Sequence, residues 1–375
     1  MARYIDPQTN ETFPIDKPIW RAPSGGPLML TELPGITKGE IDTSVRSIWR
    51  YRAAFPLDVK EPITMGEGCT PLVTKTFGGA TCSFKLEWFA PTGSFKDRGT
   101  SVMLSMLKAQ GITSVLEDSS GNGGCSVAGY GAAGGLSTCI CVPESTSPSK
   151  IAQVRAYGAE VVLVPGPREA TEAAAIEKSA EIFYASHNWH PFFLQGTKTL
   201  GYEIWEDFNF SLPDNIVIPG GAGSNVLGCY IAFKELMAAG EIEKMPRIFL
   251  SQPAHCAPVH ASFQAGAEEC VETDFAPTVA EGTAIKRPIR MKQILAALRE
   301  SGGGTVAIPE EEIIKTSLAL ARTGLYTEPT SAHAAAAFTR LLEVGAIKAD
   351  EQTVVILTGT GIKTTPFYEA QLASE

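Results

Sequence analysis

The stretch Pro91-Thr-Gly-Ser-Phe-Lys-Asp-Arg-Gly99 stands where one sequence periodicity gives way to another. Before it, Cys82, Phe84, Leu86 and Trp88 alternate with Ser83, Lys85 and Glu87, the period-two pattern of a strand. From Ser94 the chain reads as a helix with a polar entry and a glycine stop at Gly111. Lys96 therefore falls in the first turn of a helix, directly after a strand. The positive end of a helix dipole disfavours added positive charge, which favours the neutral amine as a nucleophile toward an aldehyde.

The alternation of strand and helix continues outward from this point. Strands are expected at 115–117, 138–142 and 160–164, with helices at 123–134, 147–157 and 170–183. A second series runs through helix 198–208, strand 215–219, helix 224–239 and strand 247–252, and closes on strand 353–357 after two helices. Such alternation predicts an α/β fold with two open, mostly parallel sheets and helices on both faces. Residues 1–65 read as an irregular arm with a helical stretch near 41–51. The expected organisation is 1–80 as the arm plus part of a large domain, 81–200 as a small domain, and 201–375 as the rest of the large one.

Ligands in open parallel sheets bind beyond the carboxyl ends of strands, and four strand ends here carry unusual loops. The first holds Lys96. The second, Ser119-Ser-Gly-Asn-Gly-Gly124, joins hydroxyls, an amide and glycines at a helix start; several N–H donors there suit a carboxylate. An ordinary helix cap would need only one Ser or Asn. The third, Pro219-Gly-Gly-Ala-Gly-Ser-Asn225, lets backbone N–H groups approach a phosphate at a helix N-terminus. It is no P-loop, since no Gly-Lys-Ser/Thr follows. It also fails the dinucleotide pattern, because the sixth position from Gly221 is Val226. A monophosphate fits better. The fourth, Leu357-Thr-Gly-Thr-Gly-Ile-Lys363, sets Thr358 at the end of the last strand. A lysine suited to an aldehyde, an anion loop and a monophosphate cradle together imply pyridoxal 5′-phosphate, which supplies an electron sink while the protein chooses the bond that breaks.

Composition narrows the remaining classes. The 31 basic and 41 acidic residues give a net charge of -10, poorly suited to hold nucleic acid by counterion release. No stretch approaches the ~20 apolar residues of a membrane span, and the start lacks the apolar core of a signal peptide. The eight cysteines form no C-x-x-C pair and are expected as reduced thiols, consistent with a cytoplasmic location. His187 and His190 have no further ligands nearby in sequence, so no metal is expected. The 36 glycines exceed the usual share and gather in the loops just described.

At these residues the chain resembles the threonine synthase-like family of fold-type II pyridoxal-phosphate enzymes, over nearly its whole length. Gly66-Glu-Gly-Cys-Thr-Pro-Leu72 is similar to the family's G-E-G-x-T-P-L, and the stretch 91–99 is the family's lysine motif without change. The resemblance implies a fold like that of the tryptophan synthase β chain, with the active site between the domains, and a homodimer. It implies that Lys96 holds the cofactor as a Schiff base, Phe95 lines its ring, and Asn122 bonds its phenolic oxygen. Ser119, Ser120 and Gly121 would bind the substrate carboxylate. Gly220, Gly221, Ala222, Gly223 and Ser224 would bind the phosphate with support from Asn225, and Thr358 would contact the pyridine nitrogen.

Two departures shape the functional expectation. Trp20-Arg-Ala-Pro-Ser-Gly-Gly-Pro-Leu28 keeps the frame of a family ribbon but not its cysteines. Where the family has N-P-x-R-x-x-G-Q-K-T, this chain has His190 and Phe193 in place of the Asn and Arg that help bind a substrate phosphate. Phenylalanine cannot make arginine's bidentate contact, leaving Lys150 and His190 as the substrate-side candidates. The expectation is a lyase that carries out β/γ-elimination or replacement on a small L-amino acid. The alternative is conversion of O-phospho-L-homoserine and water to L-threonine and phosphate. A binding protein without turnover has no need of Lys96, Asn122 and Thr358 together.

Overall fold

The computed structural model describes residues 2–146, 148–166 and 168–373, with backbone alone at 148–150. The chain opens with three short strands, β1 (Arg3–Ile5), β2 (Thr12–Pro14) and β3 (Met29–Leu30), followed by the hairpin β4 (Leu72–Phe77) and β5 (Ala80–Leu86). Next come α1 (Lys96–Ala109), β6 (Ser114–Glu117), α2 (Asn122–Gly134), β7 (Ser137–Pro143), α3 (Pro148–Ala156) and β8 (Glu160–Val164). These are followed by α4 (Arg168–Lys178), β9 (Phe183–Tyr184), α5 (Pro191–Thr197) and α6 (Thr199–Asp207). The remainder is β10 (Asn215–Pro219), α7 (Ser224–Ala238), β11 (Arg247–Pro253), α8 (Pro258–Gln264), α9 (Met291–Glu300), β12 (Gly304–Ile308), α10 (Glu310–Arg322), α11 (Pro329–Glu343), β13 (Thr353–Leu357) and α12 (Thr365–Leu372).

These elements form two compact units. The first comprises the chain up to Cys69, Ala90–Thr92 and Lys96–Thr199; the second comprises Thr70–Phe89, Gly93–Phe95 and the chain from Leu200 onward. The α/β expectation holds. The first unit contains a four-stranded parallel sheet in the order β8-β7-β6-β9, and the second a six-stranded sheet in the order β12-β11-β10-β13-β5-β4. Every pairing in the larger sheet is parallel except β4 on β5, which turns through Gly78-Gly79, both at positive φ. Strand β4 is the edge of this sheet, and its partial burial contrasts with the continuous burial of β10 and β13. Strand β5, at the head of 81–200, pairs with β13 and so lies in the six-stranded sheet.

The arm differs from expectation. It carries a small antiparallel sheet, β2-β1-β3, and its helical stretch is a 3-10 segment at Ile48–Ala54, displaced from 41–51. Its strands are two or three residues long, below the length at which periodicity is legible. Tyr4 of β1 is fully buried, its ring 5.5 Å from Phe192. The cysteines of the chain are free thiols, and six of the eight are buried.

Helix α1 is buried from Asp97 to Leu107 because it is covered by neighbours in its own unit. Helix α5 approaches it at backbone contact: a Cβ on Gly196 would lie 2.0 Å from the Arg98 carbonyl oxygen. Gly196→Ala is therefore expected to lower stability by about 2–3 kcal/mol or to separate the two helices. Urea unfolding measures this, and an unchanged midpoint would contradict the packing.

Candidate active site

In the first unit, the site is built on the N-termini of α1 and α2. Asp97 follows Lys96, and its buried carboxylate accepts the Thr92 amide at 2.7 Å, the Thr92 hydroxyl at 2.5 Å and the Ser126 hydroxyl at 2.7 Å. One side chain thus ties the turn before α1 to the body of α2. Lys96 is the first residue of α1, and its Nζ lies 5.5 Å from the centre of the Phe193 ring. That ring rests on the backbone of α1, since a Cβ on Gly99 would come 2.4 Å from Phe193 Cε2.

The loop 119–124 leaves the end of β6 and becomes α2 at Asn122, with Gly121 as the N-cap. Ser119 is buried, Ser120 half-buried and Gly121 exposed, with open space where a Gly121 side chain would be. Gly124 has no room for a side chain: a Cβ there would meet the Ser119 carbonyl oxygen at 1.9 Å. Gly123 sits against His187, whose Cε1 and Nδ1 lie 2.7 and 2.8 Å from the position a Cβ would take.

Beneath this loop is a polar cluster that pattern reading left unassigned. Glu117, fully buried, accepts the His187 amide at 3.0 Å and pairs with His187 Nδ1 at 2.9 Å through one oxygen. Its other oxygen accepts the Asp118 amide at 2.8 Å. Asp118 accepts the Tyr184 hydroxyl at 2.8 Å. Burial raises the Glu117 pKa, while neighbouring N–H donors and the Lys96 charge oppose the rise. Burial, then the Glu117 charge, pushes Asp118 up to about 7. Burial, then the Lys96 charge, holds His187 well below the usual histidine range. The clue in the sequence is the pair of carboxylates ending the apolar run Val115-Leu-Glu-Asp118, but their partner is 70 positions away.

In the second unit, the loop 220–223 runs from β10 into α7 under close packing. A Cβ on Gly221 would lie 2.9 Å from the Thr283 Cα, and one on Gly223 would lie 2.4 Å from Ile294 Cδ1 of α9. Gly223 also has φ +77°, a conformation that glycine adopts without strain. At the start of α7, Asn225 is 3% exposed, and neither its Oδ1 nor its Nδ2 has a partner among the described residues. A buried amide without partners among the described residues, beside a loop crowded at each of its glycines, fits a small, strongly accepting anion at this helix N-terminus.

Thr358, at the end of β13, is 2% exposed. Its hydroxyl contacts Ser331 Oγ at 2.9 Å and donates to Glu328 Oε1 at 3.3 Å, and its carbonyl accepts the Phe95 amide at 2.9 Å. Ser94 and Gly359 form an isolated bridge, so the residues just before Lys96 are stitched to the loop after β13. Glu328 and Ser331, on the entry to α11, are further side chains that the sequence reading did not single out.

Two substrate-side expectations stand apart. His190 is 1% exposed in an aromatic cluster with Tyr4, Phe183 and Phe192, and its Nδ1 accepts the Phe192 amide as the cap of α5. The Lys150 side chain lies outside the described residues, and only its backbone is placed, in α3.

Comparison with known proteins identifies the family. A family model for pyridoxal-phosphate dependent enzymes matches residues 63–359. The threonine synthase of Methanosarcina acetivorans is 32% identical over 334 residues, spanning 86% of this chain and 82% of that protein. The threonine synthase of Methanocaldococcus jannaschii is 31% identical over 367 residues, spanning 94% and 91%. Among solved structures, a threonine deaminase (T.th.) is similar with a TM-score of 0.64 and 26% identity, over 78% of this chain and 92% of that one.

The buried Asp118 gives a pH test. Its folded pKa lies above the unfolded value, so between about pH 4 and 7 the folded state holds the extra proton and loses stability as pH rises. Asp118→Asn keeps an acceptor for Tyr184 and removes the charge. Its stability relative to the unmodified protein should rise by roughly 2–4 kcal/mol from pH 4 to pH 8 in urea unfolding. A pH-independent difference would contradict the assignment.

Proposed function

Because the chain belongs to the pyridoxal-phosphate dependent enzyme family, we propose that it is a lyase of the ammonia-lyase or dehydratase type acting on a small, unphosphorylated L-amino acid. The observation that carries this reading is Phe193: an aromatic ring lies against Gly99 and beside Lys96, at the place where the family resemblance calls for arginine. An apolar ring offers no hydrogen bond to a phosphate-bearing side chain and leaves it desolvated.

Pyridoxal 5′-phosphate, when bound, supplies the electron sink that lets a bond at the substrate Cα break. The N–H groups of 220–224 and the amide of Asn225 hold its phosphate at the start of α7. Phe95 lines its ring, Asn122 bonds its phenolic oxygen, and the Thr358 hydroxyl, oriented by Ser331 and Glu328, meets the pyridine nitrogen. A neutral hydroxyl there stabilises a protonated ring less than a carboxylate would, which suits elimination over transamination. Ser119, Ser120 and the amide of Gly121 bind the substrate carboxylate. Lys96 removes the α-proton at Nζ, its position fixed by the grip of Asp97 on Thr92 and Ser126. Loss of the α-proton and of the β-substituent, followed by hydrolysis, yields a 2-keto acid and ammonia.

Threonine synthesis from O-phosphohomoserine is the second reading, favoured by the two archaeal relatives that bear that name. Purified protein assayed with L-serine, L-threonine, 3-hydroxyaspartate and O-phosphohomoserine separates the two. The proposal expects ammonia and a keto acid from at least one hydroxy amino acid, with phosphate release from O-phosphohomoserine at least about 100-fold slower, a margin matching the loss of a charged hydrogen bond. Lys96→Ala should abolish turnover. Rapid formation of threonine from O-phosphohomoserine would overturn the first reading.

A further inference from the structure

His187 has an unused end. Its Nδ1 and its backbone amide both meet Glu117, yet among the described residues no hydrogen bond reaches Nε2. The side chain is 6% exposed and wedged against Gly123, within the loop proposed to take the substrate carboxylate, with the Ser119 hydroxyl 3.0 Å from the same would-be Cβ position. The Phe193 ring borders it at 5.6 Å, and that ring in turn borders Lys96. An imidazole is thus built into the wall that also carries the lysine and the anion loop.

The tautomer follows from the hydrogen bonds. Both Glu117 oxygens accept backbone N–H groups and the Lys96 charge acts with them, which opposes the rise that burial gives its pKa and favours the carboxylate form, the one in which the shared proton sits on Nδ1. Burial and the Lys96 charge keep the ring neutral. Nε2 is then a lone-pair acceptor of fixed direction, a typical consequence of a carboxylate behind a histidine.

We propose that His187, held in this tautomer by Glu117, selects the substrate side chain by accepting at Nε2 a hydrogen bond from a donor on its β-carbon. This rests on the lyase reading above and deepens it: the preferred substrates carry a hydroxyl or ammonium on Cβ. Glu117 is the positioning residue, acting through His187. Such a site penalises analogues that lack the donor, because the acceptor is left buried and unpaired.

The test uses two ligands that have no α-proton to lose, 2-methyl-L-serine and 2-aminoisobutyrate, which differ by the hydroxyl. Their dissociation constants for the holoprotein are measured by calorimetry and by the change in cofactor absorbance. The unmodified protein should bind the hydroxylated ligand at least about tenfold more tightly. His187→Asn, which retains a donor toward Glu117 but lacks Nε2, should bring the ratio within about twofold, while His187→Gln, which returns a polar group near Nε2, should recover part of it. Glu117→Gln should lower the ratio without abolishing 2-aminoisobutyrate binding. A His187→Asn protein that keeps the full ratio overturns the assignment alone. A protein that takes up no cofactor overturns the lyase reading, and the assignment with it.

Discussion

The carboxylate of Asp97 is the constraint around which the candidate site residues of the first unit are arranged. It is fully buried and has no solvent to satisfy it, so its bonds to Thr92 and Ser126 have to be made within the protein. Removing one partner would leave a buried charge short of donors, an outcome costing several kcal/mol. Because Asp97 is adjacent to Lys96, and Ser126 is one turn beyond Asn122, the same bonds set the start of α1 against the start of α2. The lysine and the anion loop are therefore placed relative to each other by one side chain, within one unit.

The second unit achieves placement differently, through absence of side-chain volume. Leu250, Thr283 and Ile294 press on the loop 220–223 so closely that a side chain at 220, 221 or 223 would have to displace one of them. At the head of α7 lie backbone N–H groups and the Asn225 side-chain amide, which has no partner among the described residues. A helix start of this kind is an anion site without a charged side chain. The Thr358 region adds a polar relay, in which Glu328 and Ser331 leave the threonine hydroxyl little rotational freedom.

The elements most legible from sequence were those with the simplest physical demand. Strands 215–219 and 353–357 agree with β10 and β13 because a central parallel strand, buried on both faces, is a short apolar run with sharp ends. The glycine loops stand out because close approach of neighbouring residues leaves few residue choices at Gly124, Gly221 and Gly223. The edge strand β4 and the sheet in the arm do not, since short strands exposed on one side leave weak periodicity. Strand β12 was missed for a related reason: its residues are only partly buried until Ile308.

Candidate residues stand out where one loop carries a whole motif and are obscure where two distant segments meet. Lys96, Asn122 and Thr358 announce themselves within their own motifs. Glu117 and His187 do not, since a lone histidine and a strand-end glutamate acquire meaning only when the fold pairs them across 70 residues. His190 illustrates the converse, a polar residue in a motif position that the fold uses as a helix cap among aromatic rings. Everything proposed for the chemistry depends on Lys96 carrying the cofactor. Borohydride reduction of the protein saturated with pyridoxal 5′-phosphate, followed by peptide mass mapping, should find a phosphopyridoxyl group on the peptide containing Lys96; its absence there, or its attachment to another lysine alone, rules Lys96 out as the carrier.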